Sequence, residues 1–297
     1  MAIEYDRLPF NFLGLDDRDA DFDRAKVLVL PVAYDATSSY GTGSRKAPLR
    51  IIEASRYVEY YDEELGVEPR AAGIHTLPIM EPDVSGPEAM AARVESAVGQ
   101  ILDLGKFPVL LGGEHSLTAG AVTAAARRRP GLSVLQLDAH ADLRETWQGS
   151  RFSHACVAAR MAEACPVFQV GVRALPGDED AARRAHPVKT VTAARFHAGP
   201  DWRAEMDAFL TPRVYVTVDV DVFDPSVLAA TGTPEPGGLS WNEVLDVLRH
   251  VFATREVVGM DVVELEPIPG LSAPDYAVAK LVHRMIGYRF FPGPKTA

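Results

Sequence analysis

Between residues 135 and 149 the chain reads LQLDAHADLRETWQG. At its centre, Asp138, His140 and Asp142 stand one small residue apart at the end of an apolar run. Two other apolar runs end in similar chemistry. PVLLGG (108–113) leads into Glu114-His115-Ser116, and VYVTVDVD (214–221) closes on Asp219 and Asp221. Extended backbone puts residues two apart on one side, so DxHxD is expected to aim three groups one way and DxD two. Four aspartates in a low-dielectric crevice repel one another strongly. Two divalent cations would balance them charge for charge. Carboxylate oxygen and imidazole nitrogen without thiolate disfavour a structural zinc site and suit manganese or a similar ion. A pair of metals bridged by carboxylates can hold a hydroxide and deliver it at neutral pH. A lone DxD or a single histidine would carry little weight. The ordered set of His, DxHxD and DxD, each after a strand, carries the metal reading.

Such groups need a scaffold that ends its strands together. Apolar, β-branched runs occur at 26–32, 108–113, 132–140, 167–172, 188–191, 214–221 and 257–265. They are short and continuous, as expected where both faces of a parallel sheet are covered. Helical patterns lie between them. Met90, Val94, Val98, Ile101 and Leu102 form one stripe within 87–104, and Val244, Leu245, Leu248, Val251 and Phe252 form another. Ser85 with Glu88, and Ser240 with Glu243, are spaced as capping boxes. Strand–helix alternation predicts an α/β fold with a parallel sheet between helical layers, in one domain spanning 1–297. In such sheets ligands bind beyond the carboxyl ends of the strands.

The totals restrict partners. The chain has 297 residues, 47% hydrophobic and 24% charged, with a formal net charge of -11. That balance argues against nucleic acid and anionic membrane as partners. The start MAIEYDRLPF has no signal-peptide pattern, and no apolar run is long enough to span a bilayer, so a cytoplasmic protein is expected. Cys156 and Cys165 are expected as reduced thiols.

With these motifs in place, the sequence resembles the ureohydrolase family of arginases, agmatinases and their relatives. The resemblance covers nearly the whole chain. It rests on GGEHS (112–116), DAHADLR (138–144), SHACV (153–157), VDVDVFDPS (218–226), TGTPEPGGLS (231–240) and GMDVVELEP (259–267). It implies a three-layer α/β sandwich around a mainly parallel sheet of about eight strands, a homotrimer or homohexamer, and two Mn2+ per chain. It further implies one metal on His115, Asp138, Asp142 and Asp219, and the other on Asp138, His140, Asp219 and Asp221. Asp138 and Asp219 would bridge. His154 matches the family histidine that shuttles a proton to the leaving amine, and Glu264 the glutamate that anchors the guanidinium. Glu114 stands where many arginases have aspartate. His75, His186, His197, His250 and His283 fall outside the motifs and are expected to be structural.

The implied reaction is hydrolysis of a small cationic guanidine by a metal-bridging hydroxide, with release of urea. The stretch Gly171–Pro176 lacks the acidic residue with which arginases hold an α-amino group, and 144–148 reads Arg-Glu-Thr-Trp-Gln where arginases carry carboxylate-binding groups. SHACV and GTPEPGG look like bacterial and archaeal agmatinases. The expected activity is therefore agmatinase, forming putrescine and urea. N1-aminopropylagmatine ureohydrolase, which forms spermidine, and guanidinobutyrase, with Arg144 or Arg151 as carboxylate clamp, are close alternatives. Glu145 and Asp178 are candidates for steering a distal ammonium. A non-catalytic metal-binding regulatory homologue is the alternative of another class, disfavoured because all six ligand positions, His154 and Glu264 are present.

Overall fold

The computed structural model describes residues 8–292 except 178, 180–184 and 200; Asp178 thus lies outside the described residues. Eight strands form one sheet: β1 Val27–Pro31, β2 Ile74–Thr76, β3 Phe107–Leu111, β4 Leu132–Leu137, β5 Val167–Val172, β6 Val188–Thr192, β7 Arg213–Asp219 and β8 Glu256–Val263. Their order is β2-β1-β3-β8-β7-β4-β5-β6. All pairings are parallel. Two continuous apolar clusters cover the two faces. One packs the helices Pro87–Asp103, Leu117–Arg128 and Val157–Ala164 on the sheet; the other packs Ala47–Ser55, Trp202–Phe209, Trp241–Thr254 and Ala273–Phe290. The expected three-layer α/β architecture is present, and its sheet is wholly parallel.

The chain steps from β1 out to the edge strand β2 and back past β1 to β3, then runs from β4 outward through β5 to β6, and β7 and β8 return to fill the gap between β4 and β3. The four central strands are therefore β3, β8, β7 and β4, and they are the four whose ends carry the unusual chemistry. Both expected apolar stripes are buried. The Ser240 box forms: the Ser240 hydroxyl accepts from the Glu243 N–H at 3.4 Å, and the Glu243 carboxylate accepts from the Ser240 N–H at 2.8 Å. The Ser85 box does not. That helix starts at Pro87 after Gly86, and the Ser85 N–H donates to Asp83 at 2.9 Å. Proline at the first helical position has no N–H to cap. The sequence reading also missed β2, a three-residue edge strand too short to show a period.

Candidate metal centre and active site

Strand β4 stops at Leu137 and β7 at Asp219. DxHxD is thus not extended strand, as the spacing had suggested. It is a loop in which Asp142 takes a left-handed φ of 53°, and Asp221 sits in the 3-10 turn Val220–Val222. Local hydrogen bonds hold these turns. The His140 N–H donates to Asp138 at 2.6 Å, the Asp221 N–H to Asp219 at 2.9 Å, and the Ala139 N–H to Asp221 at 2.9 Å. Beyond β3, Gly113 runs so close to the Tyr34 carbonyl that a Cβ would lie 1.8 Å from its oxygen. Only glycine lets the chain turn there into His115.

The imidazole of His115 is 1% exposed. Its Nε2 lies 3.0 Å from the Thr217 hydroxyl. Its Nδ1 lies 3.1 Å from Asp138, 3.3 Å from Asp219 and 3.4 Å from Asp142, yet makes a good hydrogen bond to none of them. A buried nitrogen facing three carboxylates without a hydrogen bond is what a cation between them would leave. His140 Nδ1 lies 2.8 Å from Asp221 and 3.8 Å from Asp138. Two groups of potential ligand atoms result, His115–Asp138–Asp219 and Asp138–His140–Asp221, each within 4.8 Å, with Asp138 common to both.

Electrostatics point the same way. Burial, then repulsion from Asp221 and Asp138, pushes Asp219 well above the usual carboxylate range. Burial and Asp138 push Asp142 up to about 7. Burial opposes charge on His140, but Asp221 outweighs it and raises the ring to about 11. The oxygen- and nitrogen-only donor set and its excess of negative charge fit two hard or borderline divalent ions.

These groups open into a cleft of about 230 Å³. Among its lining residues are His115, His140, Asp142, Asp219, Asp221, His154 and Glu264; Asp138 lies beneath, fully buried. All eight residues singled out from the sequence are thus brought together. Glu264, at the end of β8, holds a left-handed φ of 63° and accepts from the His115 N–H at 2.6 Å. Burial and the nearby Glu114 raise its pKa well above the ordinary carboxylate value. His154 faces three hydroxyls: Nδ1 is 3.2 Å from Thr37 Oγ1 and 3.3 Å from Ser153 Oγ, and Nε2 is 3.0 Å from Ser39 Oγ. Thr37 donates its O–H to Glu114 at 2.7 Å, so toward His154 it can only accept, and Nδ1 carries the proton. Trp147 donates its indole N–H to Ser39 at 3.1 Å, which leaves the Ser39 O–H for Nε2. Burial, then His115 and His140, lowers His154 to about 4.

Glu114, set aside in the sequence reading, is therefore the buried anchor of His154 through Thr37. Thr37, Ser39, Trp147, Glu179 and Glu235 were also missed. Only Glu235 belongs to a motif, TGTPEPGGLS, and Trp147 lies close beyond DAHADLR; Thr37, Ser39 and Glu179 stand outside the motifs. Two mouth residues are corrected. Glu145 does not line the cleft; it pairs with Arg160 at 2.7 Å and His186 at 3.1 Å. Arg151 pairs with Glu163 at 2.7 Å, also outside it. Arg144 does line it, but its Nε is 3.0 Å from Glu179 and its guanidinium lies over the Trp147 ring at 4.4 Å. The remaining five histidines each face a local structural partner: Ala20, Glu145, Glu243, Asp207 and Tyr60. Both cysteines are free and buried, and among the described residues no helix is long and apolar enough to cross a membrane.

An all-parallel α/β sheet with histidines and aspartates converging beyond its central strands places the protein among α/β proteins with a candidate metal centre at the strand ends. The arginase family model matches residues 25–287, and the chain belongs to that family. The chain is 41% identical over 280 residues to the N(1)-aminopropylagmatine ureohydrolase of Thermus thermophilus, covering 93% of this chain and 94% of that one. It is 38% identical to the N(1)-aminopropylagmatine ureohydrolase of Synechocystis sp., covering 89% of each. The crystal structure of the agmatine ureohydrolase of Thermoplasma volcanium superposes with a TM-score of 0.84 at 31% identity, covering 95% of this chain and 94% of that one.

Proposed function

We propose that this protein is a manganese-dependent ureohydrolase that releases urea from a guanidine with an amine-bearing tail, N1-aminopropylagmatine before agmatine. The observation that carries the tail preference is the charge of the cleft mouth. Among the described residues its one lining arginine, Arg144, is already held by Glu179 and Trp147, and Glu235 in the lining has no cation within ion-pair distance. Such a mouth accepts an ammonium and leaves a carboxylate without a partner, which disfavours arginine and guanidinobutyrate. The names of the two relatives at 38% and 41% identity favour the longer polyamine tail. Agmatine, the sequence-based expectation, is kept as the second reading by the likeness to an agmatine ureohydrolase.

His115, Asp138, Asp142 and Asp219 would hold one ion, and Asp138, His140, Asp219 and Asp221 the other. When bound, such a pair supplies Lewis acidity and makes water a nucleophile at neutral pH. Glu264 binds the planar guanidinium by accepting from its fixed N–H fork. His154, with Nδ1–H fixed on Thr37, receives and returns a proton at Nε2, through Ser39 or directly, and so protonates the departing amine. Trp147 and Arg144 wall the cleft against water. Urea release from N1-aminopropylagmatine, agmatine, arginine and guanidinobutyrate, measured with Mn2+ under one condition, tests the reading. kcat/KM for either amine-tailed guanidine should exceed that for arginine at least roughly 100-fold. Arginine or guanidinobutyrate as the best substrate would sink the argument from the mouth.

A further inference from the structure

One lateral row of the sheet is polar where its neighbours are apolar. Asp261 on β8 is in register with Thr217 on β7, Thr217 with Gln136 on β4, Gln136 with Gln169 on β5, and Gln169 with Thr190 on β6. The first four are 0% exposed and Thr190 is 9% exposed. The row lies one side-chain step below Asp219 and Asp138 on β7 and β4, on the same face. Burying amides and hydroxyls inside a sheet is costly unless each is satisfied, and apolar residues would fill the space without that demand.

The half of the row on β4, β5 and β6 is satisfied in one direction only. Thr190 Oγ1 donates to Gln169 Oε1 at 2.8 Å. Gln169 Nε2 donates to Gln136 Oε1 at 3.0 Å and to the Ala141 carbonyl at 2.7 Å. Gln136 Nε2 donates to Asp138 Oδ2 at 2.8 Å. The Ala141 carbonyl can only accept, so it fixes the Gln169 amide, whose Nε2 in turn fixes Gln136 Oε1, and the relay runs toward the Asp138 carboxylate. On the other side Thr217 meets His115 Nε2 at 3.0 Å, the ring nitrogen that faces away from the carboxylates. The same row therefore touches one histidine and the carboxylate common to both ligand groups, from below.

We propose that this buried row is the positioning floor of the metal centre: Gln136, backed by Gln169 and Thr190, orients the Asp138 carboxylate, and Thr217 orients the His115 ring so that Nδ1 faces the ions. These are positioning residues, acting through Asp138 and His115. The inference rests on the proposed metal centre. Outer partners of this kind are worth roughly 10- to 100-fold in metal affinity.

The test is titration of chelator-stripped protein with Mn2+, following free ion by electron paramagnetic resonance. The unfolding midpoint of each metal-free variant is measured in parallel. Gln136→Met should weaken uptake roughly 10- to 100-fold. Thr190→Val, at the far end of the relay, should weaken it less and keeps the interior packed if Gln136→Met fails to fold. Thr217→Val should weaken one of the two ions, and Thr217→Ser should restore it. A purely structural role predicts the opposite ranking, because valine replaces the buried volume of threonine better than serine does. Variant affinities within twofold of wild type, or Thr217→Ser no better than Thr217→Val, overturn the floor alone. Wild-type protein that takes up no manganese overturns the metal centre and the floor with it.

Discussion

Two acidic clusters in this protein have similar composition and opposite behaviour. Beyond β3, β8, β7 and β4, Asp138, Asp142, Asp219, Asp221 and Glu264 crowd around two imidazoles. Near the helix Ala273–Phe290, Asp62, Glu63 and Glu64 meet Lys280, Arg284 and Arg249. In the second cluster the chain supplies its own cations. Its own backbone N–H and the Arg284 guanidinium pull Glu63 down to about 2. In the first cluster burial and mutual repulsion push Asp142 up to about 7 and Asp219 and Glu264 well above the usual range. A buried acidic cluster without arginine or lysine is poised for cations from outside; one with them is a structural clamp.

The largest effect is expected where one carboxylate serves both ligand groups. Asp138→Ala should take urea release to background and abolish retention of manganese, read by metal content beside the urea assay. A variant that still holds two ions would break the contrast between the clusters. Next comes His154→Ala, which leaves every proposed ligand in place. Its kcat should fall about 100- to 10,000-fold with metal content unchanged. Loss of metal would make His154 a ligand, and an unchanged kcat would make it structural.

The first cluster was legible in the sequence and the second was not, for a physical reason. DAHAD, GGEHS and VDVD place their chemistry directly after apolar runs, and strand ends of a parallel sheet lie on one side. The fold itself was legible from those runs; the three residues of β2 were too few to show a period. Asp62-Glu63-Glu64 looks like a solvated charge run, because its partners lie 185 to 222 positions further along the chain. Thr37 and Ser39 escaped notice likewise, and Glu114 was noted without its role, since Thr37 meets His154 only across 117 residues. The polar floor was hidden because single Gln and Thr residues in separate apolar runs align only once the strand register is known.

The clamp can be opened from either partner, and the two partners should differ. The carboxylate of Asp62 is 0% exposed, and Arg284, whose side chain is 7% exposed, holds it at 3.0 Å. Arg284→Ala would leave that carboxylate with the Glu64 and Leu65 N–H groups, each at 3.0 Å, and, among the described residues, with Lys280 at 3.7 Å as its one cation. A loss of about 3 kcal/mol is expected, at the low end for breaking a buried pair because Lys280 remains. Denaturant unfolding measures it, and manganese content should not change.

Glu63 is the smallest case. Its side chain is 69% exposed, so water screens most of its attraction to Arg284, and Glu63→Gln should cost less than about 1 kcal/mol. The sign of its pH dependence is fixed by the shift. Glu63 falls from 4.5 to about 2 on folding, so the folded state binds fewer protons than the unfolded one between those values. Its contribution is fully present above about pH 4.5 and disappears as the pH falls through about 2. The stability gap between wild type and Glu63→Gln should therefore be flat at neutral pH and close on the acid side. Asp142 bears the opposite sign, because its carboxyl rises from 3.8 to about 7 in the metal-free fold. It weakens the metal-free protein as the pH climbs through that window, and manganese should remove that slope. Unfolding curves at several pH values, with and without chelator, decide the matter. If both clusters lost stability toward acid in the metal-free protein, the strand-end carboxylates would already be balanced, and the case for external cations would fail.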